Sequence, residues 1–484
     1  MEIRRLTMFA LVAGSAAALA HEVKLDSSPD RVPTPLKVDM PRVGTLAPRG
    51  TREERGQPWM LGCETLDRDF ADFDQYKEFL EPLGIKRIRL QCGWAKCEKA
   101  KGRYDFTWLD HCVDYAAARG IRCVLETDYG NPLYGNGYRF HLWQEKHWAA
   151  WEAWVRALAT HFKGRVEDFL MWNEPDCGKS QPPPEAIANQ NVRTARVIKE
   201  IIPAARIGAF SYSSGKVEKF ERSLVALGAD AKLFTWVVYH GYRPNPDSGQ
   251  GLPEAWAPII ARHAPHLKIF QGEQGSPSKR LTGYALKDHD WTEWSQAKWN
   301  LRRFVGDIGH GAESSVFTIA DICYRDKGVH NAKGLLATDL DMKVVGVKVS
   351  YYAVQNMVSV FDDSLEWLPN PPFTSAATNL SVYAWRRKAD GAPLVAFWDN
   401  QDGRGKRAKG GKTYPTESFE TRPVTLVYAG MPPKEPVWVD LMSGRVYAIP
   451  AAKIKVTCDS VTFADMPAYD SPCVLTERAV LKLQ

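Results

Sequence analysis

The sequence predicts an α/β fold in which a (β/α)8 barrel is followed by a C-terminal antiparallel β-sandwich, and three observations predict it. Strand-like and helix-like runs alternate with a steady rhythm across residues 58–360, giving eight strand–helix units. No glycine-rich fingerprint opens the first helix, which argues against an open dinucleotide-binding sheet. Past residue 360 helical periodicity stops, and short alternating runs separated by Gly, Pro and Asp turns take its place over residues 361–484. A chain of 484 residues exceeds the usual size of one core, so a large and a small domain are expected.

The elements follow in order. Arg4 and Arg5, the apolar stretch Leu6 to Ala17 and the small-residue site Ala18-Leu19-Ala20 form an export signal over residues 1–20. That places the mature protein outside the cytoplasm, secreted or periplasmic. The stretch is too short and too rich in Ala and Gly for a good membrane span, so no stable membrane insertion is expected. Residues 21–57 are rich in Pro, Arg and Gly and read as a leader packed along the surface. Strands are then expected at Trp59–Cys63, Ile85–Gln91, Ile121–Thr127, Val166–Met171, Ile207–Tyr212, Phe234–Tyr239, Leu267–Gly272 and Ser315–Ile319. Between them lie the amphipathic runs Phe70–Leu83, Trp108–Arg119, Lys146–Phe162, Glu185–Ile202, Val217–Leu227, Pro253–Arg262 and Trp291–Ile308, with Val344–Val358 closing the ring. Gly120 and Gly164 stop two helices and Pro203 stops a third. In the second domain, strands are expected at Ser381–Trp385, Leu394–Trp398, Val424–Tyr428 and Val437–Asp440, with a mobile loop at 401–418.

Composition narrows the function. A net charge of +6 with no basic run or basic–aromatic patch makes nucleic acid a poor partner, while leaving room for an acidic glycan. The 17 Trp suit either a large core or sugar stacking. The nine Cys show no C-x-x-C pair and no Cys/His cluster, so no structural zinc site is expected. Cys458 and Cys473 are the pair to examine for a disulfide. Oligomeric state is not legible.

In a barrel of this type, chemistry gathers at the C-terminal ends of the strands. The fourth strand runs into Trp172-Asn173-Glu174-Pro175, which holds an acid at that rim. The seventh ends Gln271-Gly272-Glu273-Gln274-Gly275, which places a second acid at the same rim with small residues beside it. Two carboxylates on different strands can act as an acid/base and nucleophile pair. The sixth strand ends His240-Gly241-Tyr242, and the second carries Arg89, with Arg87 on the same face as a rival. A cation there would keep a neighbouring carboxylate ionised.

These residues resemble the site of clan A retaining glycoside hydrolases, whose barrels carry an Asn-Glu-Pro acid/base on strand four and a Glu-x-Gly nucleophile on strand seven. The resemblance implies Glu174 as acid/base and Glu273 as nucleophile. It implies that Tyr242 hydrogen-bonds the nucleophile, that His240 shapes the site, and that Arg89 holds the nucleophile charged. Asn173 would bond the sugar 2-hydroxyl. Gly102-Arg103-Tyr104-Asp105-Phe106 through Trp108 also resembles clan A enzymes, and the appended sandwich resembles that of glycoside hydrolase family 39 and its relatives. Trp94, Asp128, Tyr129, Asn131, Tyr134 and Asp321 follow strands two, three and eight and are candidates to line the substrate, or to pack the loops. One departure is that Val316-Phe317-Thr318-Ile319 lacks the Trp often found on strand eight, which leaves the exact family and the sugar open. The expected partner is an oligo- or polysaccharide cut at β-linkages, with no cofactor and no metal. A transglycosylase using the same pair, and a non-catalytic glycan-binding barrel, are the other readings.

Overall fold

The computed structural model describes residues 23–52, 56–135, 139–178, 181–287, 289–400 and 417–484. The expected export signal, and all but the end of the expected loop at 401–418, lie outside the described residues.

Eight parallel strands close a barrel: β1 (Trp59–Gly62), β2 (Arg87–Gln91), β3 (Arg122–Glu126), β4 (Asp168–Leu170), β5 (Arg206–Tyr212), β6 (Trp236–Tyr239), β7 (Lys268–Gln274) and β8 (Glu313–Val316). Each pairs with its neighbour in sequence, and β8 returns to β1 with Ser315 opposite Met60. The helices between them form because their apolar residues recur at helical spacing. Glu145–Phe162 buries Trp148, Trp151, Trp154, Val155, Leu158, Ala159 and Phe162 on one stripe, and Gly164 at φ +81° turns the chain away at its end. Each fully buried large side chain on such a face stabilises the fold by roughly 1.5–3 kcal/mol.

The expected first helix, Phe70–Leu83, is broken into Phe73–Tyr76, a 3-10 turn at Lys77–Phe79, and Leu80–Leu83, where Pro82 and the close of Gly84 limit its length. The last element also differs from expectation. Val344–Val347 pairs with Leu336–Thr338 as a small antiparallel hairpin, and the helix begins only at Val349, running to Val360.

Inside the barrel, side chains stack in layers. Arg87, Arg122, Asp168, Arg206 and Glu313 occupy the N-terminal end. Met60, Val124, Leu170, Trp236, Val238 and Phe270 form a dry middle cluster. Arg89, Glu126, His240 and Glu273 lie towards the C-terminal end, all buried.

The C-terminal region holds two antiparallel sheets, one of seven strands and one of four. Ala384, Val395 and Phe397 of the larger sheet share an apolar cluster with Val424, Leu426 and Phe463 of the smaller one. The opposite face of the larger sheet, through Trp398, Val437 and Val439, belongs to the barrel's own core cluster. Residues 42–45, within the segment read as a surface leader, form a strand of that larger sheet, with Thr45 opposite Arg445. The nine cysteines are all free; Cys458 is exposed and Cys473 buried, so the pair singled out for a disulfide is unbonded. Among the described residues no helix is long and apolar enough to cross a membrane.

Candidate active site

Glu174 stands just past the end of β4 with its backbone in the left-handed region at φ 46°, a conformation a non-glycine residue holds only when its surroundings fix it. Its N–H donates to the Ser211 carbonyl at 3.0 Å, and its own carbonyl accepts from Cys177 at 3.0 Å. Asp176 then stitches this loop to the one after β5, accepting from Ser213 N–H at 2.7 Å and from Ser214 Oγ at 2.9 Å. Glu273 lies within β7, where the register against β8 breaks between Gln271 and Gln274. Such an irregularity re-aims side chains at strand ends. Gly272 beside it has no room for anything larger, since a Cβ there would sit 2.4 Å from Val238 Cγ1.

The two carboxylates meet around His240. One oxygen of each and a ring nitrogen of His240 lie within 4.8 Å of one another. His240 Nδ1 is 2.9 Å from Glu174 Oε1 and 3.7 Å from Glu273 Oε2. Tyr242 donates its hydroxyl to Glu273 Oε1 at 2.9 Å, and Arg89 Nη2 donates to Glu273 Oε2 at 2.5 Å. Burial alone would raise the Glu273 pKa, but the charges of His240 and Arg89, with hydrogen bonds from Arg89 and Tyr242, bring it down to about 2. Burial pulls the His240 pKa down; the Glu273 charge and the Glu174 hydrogen bond outweigh it, so His240 titrates above its ordinary value. Glu174 keeps about a quarter of its side chain open to solvent, against 11% for Glu273. Thus one acid is locked as an anion, and the other is reachable by water and leaving groups.

Arg89 also donates through Nε to Glu64 Oε1 at 2.8 Å and lies 3.5 Å from Glu126 Oε1. Three carboxylates therefore share one guanidinium. Burial raises Glu64, and it raises Glu126 to about 7 even against the Arg89 charge. Of the three, Glu273 is the one pushed below the usual carboxylate range. Its rival Arg87, two positions earlier on the same face, is at the other end of the barrel and pairs with Glu313 at 2.6 Å.

The other residues singled out in the sequence divide. Asn173 Nδ2 donates to Tyr129 at 2.8 Å, while its Oδ1 has no hydrogen-bond partner among the described residues and is free to accept from a ligand hydroxyl. Tyr129 is half-buried above the site, and Gln91 Nε2 reaches it at 3.3 Å. Asp128 is fully buried; burial and the Glu126 charge raise its pKa well above the usual carboxylate range. It supports Gln91 from below, at 3.3 Å. Trp94 has no exposed surface: its ring stacks on Tyr134 at 5.0 Å and on Trp154 at 5.9 Å, and its Nε1 donates to Glu98. Tyr134 donates to the same carboxylate at 2.5 Å. Both pack the loop rather than present a sugar-stacking face. Asn131 caps the short turn after it, accepting from Leu133 N–H at 2.9 Å, and Asp321 is paired with Lys348 at 2.6 Å.

Sequence reasoning passed over Glu64, Gln91, Glu126 and Lys333. The first three follow or end β1, β2 and β3 at the C-terminal rim, so the rule that found Glu174 could have found them. Lys333 sits on the long excursion after β8 and leaves no local signal. Glu174, His240 and Glu273 form a group that could hold a metal by donor type. The guanidinium already bound to Glu273 places a full positive charge where a cation would sit, which opposes such a site.

The fold and site thus define a parallel (β/α)8-barrel protein with a paired-carboxylate centre on strands four and seven. Residues 69–132 match the family model described as beta-galactosidase, glycosyl hydrolase 42. A beta-galactosidase BgaA from Clostridium cellulovorans is 36% identical over 70 residues, which are 14% of this chain and 10% of that protein's length. A family 39 glycoside hydrolase from Bacteroides cellulosilyticus superimposes with TM-score 0.63 at 17% identity, over 88% of this chain and 82% of the other. A monomeric beta-xylosidase from Caulobacter crescentus does so with TM-score 0.55 at 18% identity, over 90% of this chain and 97% of the other. The likeness to clan A glycoside hydrolases seen in the sequence is present in the fold and in this one matched segment.

Proposed function

We propose that this chain is a secreted or periplasmic retaining glycoside hydrolase that cleaves β-glycosidic bonds in oligo- or polysaccharides. The observation that carries the reading is the unequal treatment of two carboxylates whose oxygens lie within 4.8 Å of each other. Retention needs carboxyl groups about 5–5.5 Å apart, whereas inversion needs a wider gap to seat a water between them. Glu273, held ionised by Arg89 and Tyr242, attacks the anomeric carbon. Glu174 protonates the departing oxygen and then deprotonates the water that releases the sugar. His240 holds Glu174 in reach of Glu273, and Asn173 Oδ1 accepts from the sugar 2-hydroxyl. The match to a beta-galactosidase model and the likeness to a family 39 enzyme support the reaction class.

The first twenty residues support export. We read the two C-terminal sheets, with the apolar cluster between them, as a β-sandwich appended to the catalytic barrel at about residue 360. The edge strand from residues 42–45 ties the leader to it. The test is NMR of the first-formed product from activated β-glycosides. The β-anomer is expected before mutarotation, and the α-anomer would overturn the mechanism.

A further inference from the structure

Three lysines are buried in the described structure, and two of them have carboxylate partners: Lys298 with Asp470 at 2.7 Å and Lys348 with Asp321 at 2.6 Å. The third, Lys333, is 2% exposed and makes no ion pair or side-chain hydrogen bond among the described residues. Its ammonium lies 4.6 Å from the centre of the Tyr242 ring, the same tyrosine whose hydroxyl bonds Glu273, and 6.0 Å from that of Phe317. Its charge is felt by both Glu273 and Glu174, yet neither comes within ion-pair distance. A desolvated ammonium with no anion in contact is costly, and burial brings the Lys333 pKa down to about 8 against the charges of those two carboxylates.

The turn that carries Lys333 is held from several directions. Ala332 O accepts from Ser278 N–H at 2.8 Å, Gly334 N–H donates to Asp321 at 2.8 Å, and Leu335 N–H donates to the Thr318 carbonyl at 2.9 Å. Gly334 is required there, because a Cβ would fall 2.2 Å from the Ala320 carbonyl carbon. The backbone that carries the lysine is therefore fixed, and its side chain packs buried against Tyr242. Glu273 already has Arg89 and Tyr242 as partners, so charge balance for the nucleophile does not need it.

We propose that Lys333 is a specificity-determining residue which binds an anionic group on the sugar seated against Glu273, so that the substrate is an acidic glycan, with a uronic acid carboxylate as the group bound. The inference rests on the glycosidase reading above and deepens it. A neutral sugar would leave the ammonium with no anion in direct contact, while a carboxylate on the ring would complete a charge-assisted hydrogen bond over the Tyr242 face.

The test compares aryl β-glycosides in matched pairs: glucoside with glucuronide, galactoside with galacturonide, and each neutral sugar with its 6-sulfate. The wild-type enzyme is expected to favour the uronide of at least one pair in kcat/KM by about 10²-fold or more. Lys333→Met should reduce that ratio by a similar factor, and Lys333→Arg should restore part of it. A preference for the 6-sulfate over the uronide would overturn the carboxylate assignment. A wild-type preference for neutral sugars, or a ratio that survives Lys333→Met, would overturn the proposal while leaving the glycosidase reading intact. Absence of cleavage of every glycoside, neutral or charged, would remove that underlying reading and this one with it. The wild-type ratio needs no variant to fold.

Discussion

The two ends of the barrel interior carry similar charges but use them differently. At the N-terminal end the pairs are closed. Arg87 meets Glu313 at 2.6 Å, Arg206 meets Asp168 through two bonds at 2.6 and 2.8 Å, and Trp236 Nε1 completes Glu313 at 2.8 Å. At the C-terminal end Arg89 is shared by Glu64, Glu126 and Glu273, and among the described residues Asn173 Oδ1 has no hydrogen-bond partner and Lys333 no anion within ion-pair distance. Closed pairs hold strands together. Open ones hold Glu273 as an anion and leave polar groups facing the rim that the proposed substrate could engage. Between them the apolar layer of Met60, Val124, Leu170, Val238 and Phe270 insulates one set from the other.

Breaking the open end should cost activity first. Glu273→Gly removes the proposed nucleophile and should lower kcat by about 10⁴-fold or more, measured on an activated aryl glycoside with the fold checked by circular dichroism. Glu174→Ala should cost roughly 10²–10⁴-fold on substrates with poor leaving groups. It should cost far less on dinitrophenyl glycosides, whose leaving group needs no proton; equal losses on both would deny Glu174 the acid role.

Arg89→Met should act through charge. Burial and the loss of a cation both push Glu273 upward from about 2. A carboxylate with a depressed pKa loses its charge only as pH falls through that value, so the wild-type kcat/KM profile should have no acid limb from Glu273 above about pH 3. In the variant that limb should move to higher pH. An unmoved limb would mean Arg89 serves packing alone.

At the closed end, Arg87→Met should leave the acid limb in place and instead reduce stability by about 3 kcal/mol, because Glu313 is left without its cation. Chemical denaturation would show this. A change in the pH profile here would blur the distinction between the two ends.

The same division explains what could be read from the sequence. Strand order and both glutamates were legible because the barrel repeats a local pattern and puts chemistry at strand ends. Arg89 could be named but not separated from Arg87, since both lie on one face of β2 and only depth along the barrel tells them apart. Trp94 could not be assigned to substrate or to packing, because a loop aromatic after a strand can turn either way. Gly93, at φ 53°, starts a helical turn that tucks the ring against the Trp154 helix. The strand at residues 42–45 was missed because its partner, Arg445–Ala448, is at the far end of the chain and local pattern carries no trace of the pairing. Lys333 was missed for the same reason: its meaning lies in what surrounds it across 60 residues of chain from Glu273.

The proposed mechanism requires a covalent bond between Glu273 and the sugar. Incubation with 2-deoxy-2-fluoro-β-glycosyl fluorides, neutral and uronic, followed by peptide mass spectrometry tests it most directly. A stable adduct is expected on the peptide containing Glu273, absent in Glu273→Gly. An adduct on another residue, or steady turnover of the matching β-glycosides with no adduct at all, would contradict it.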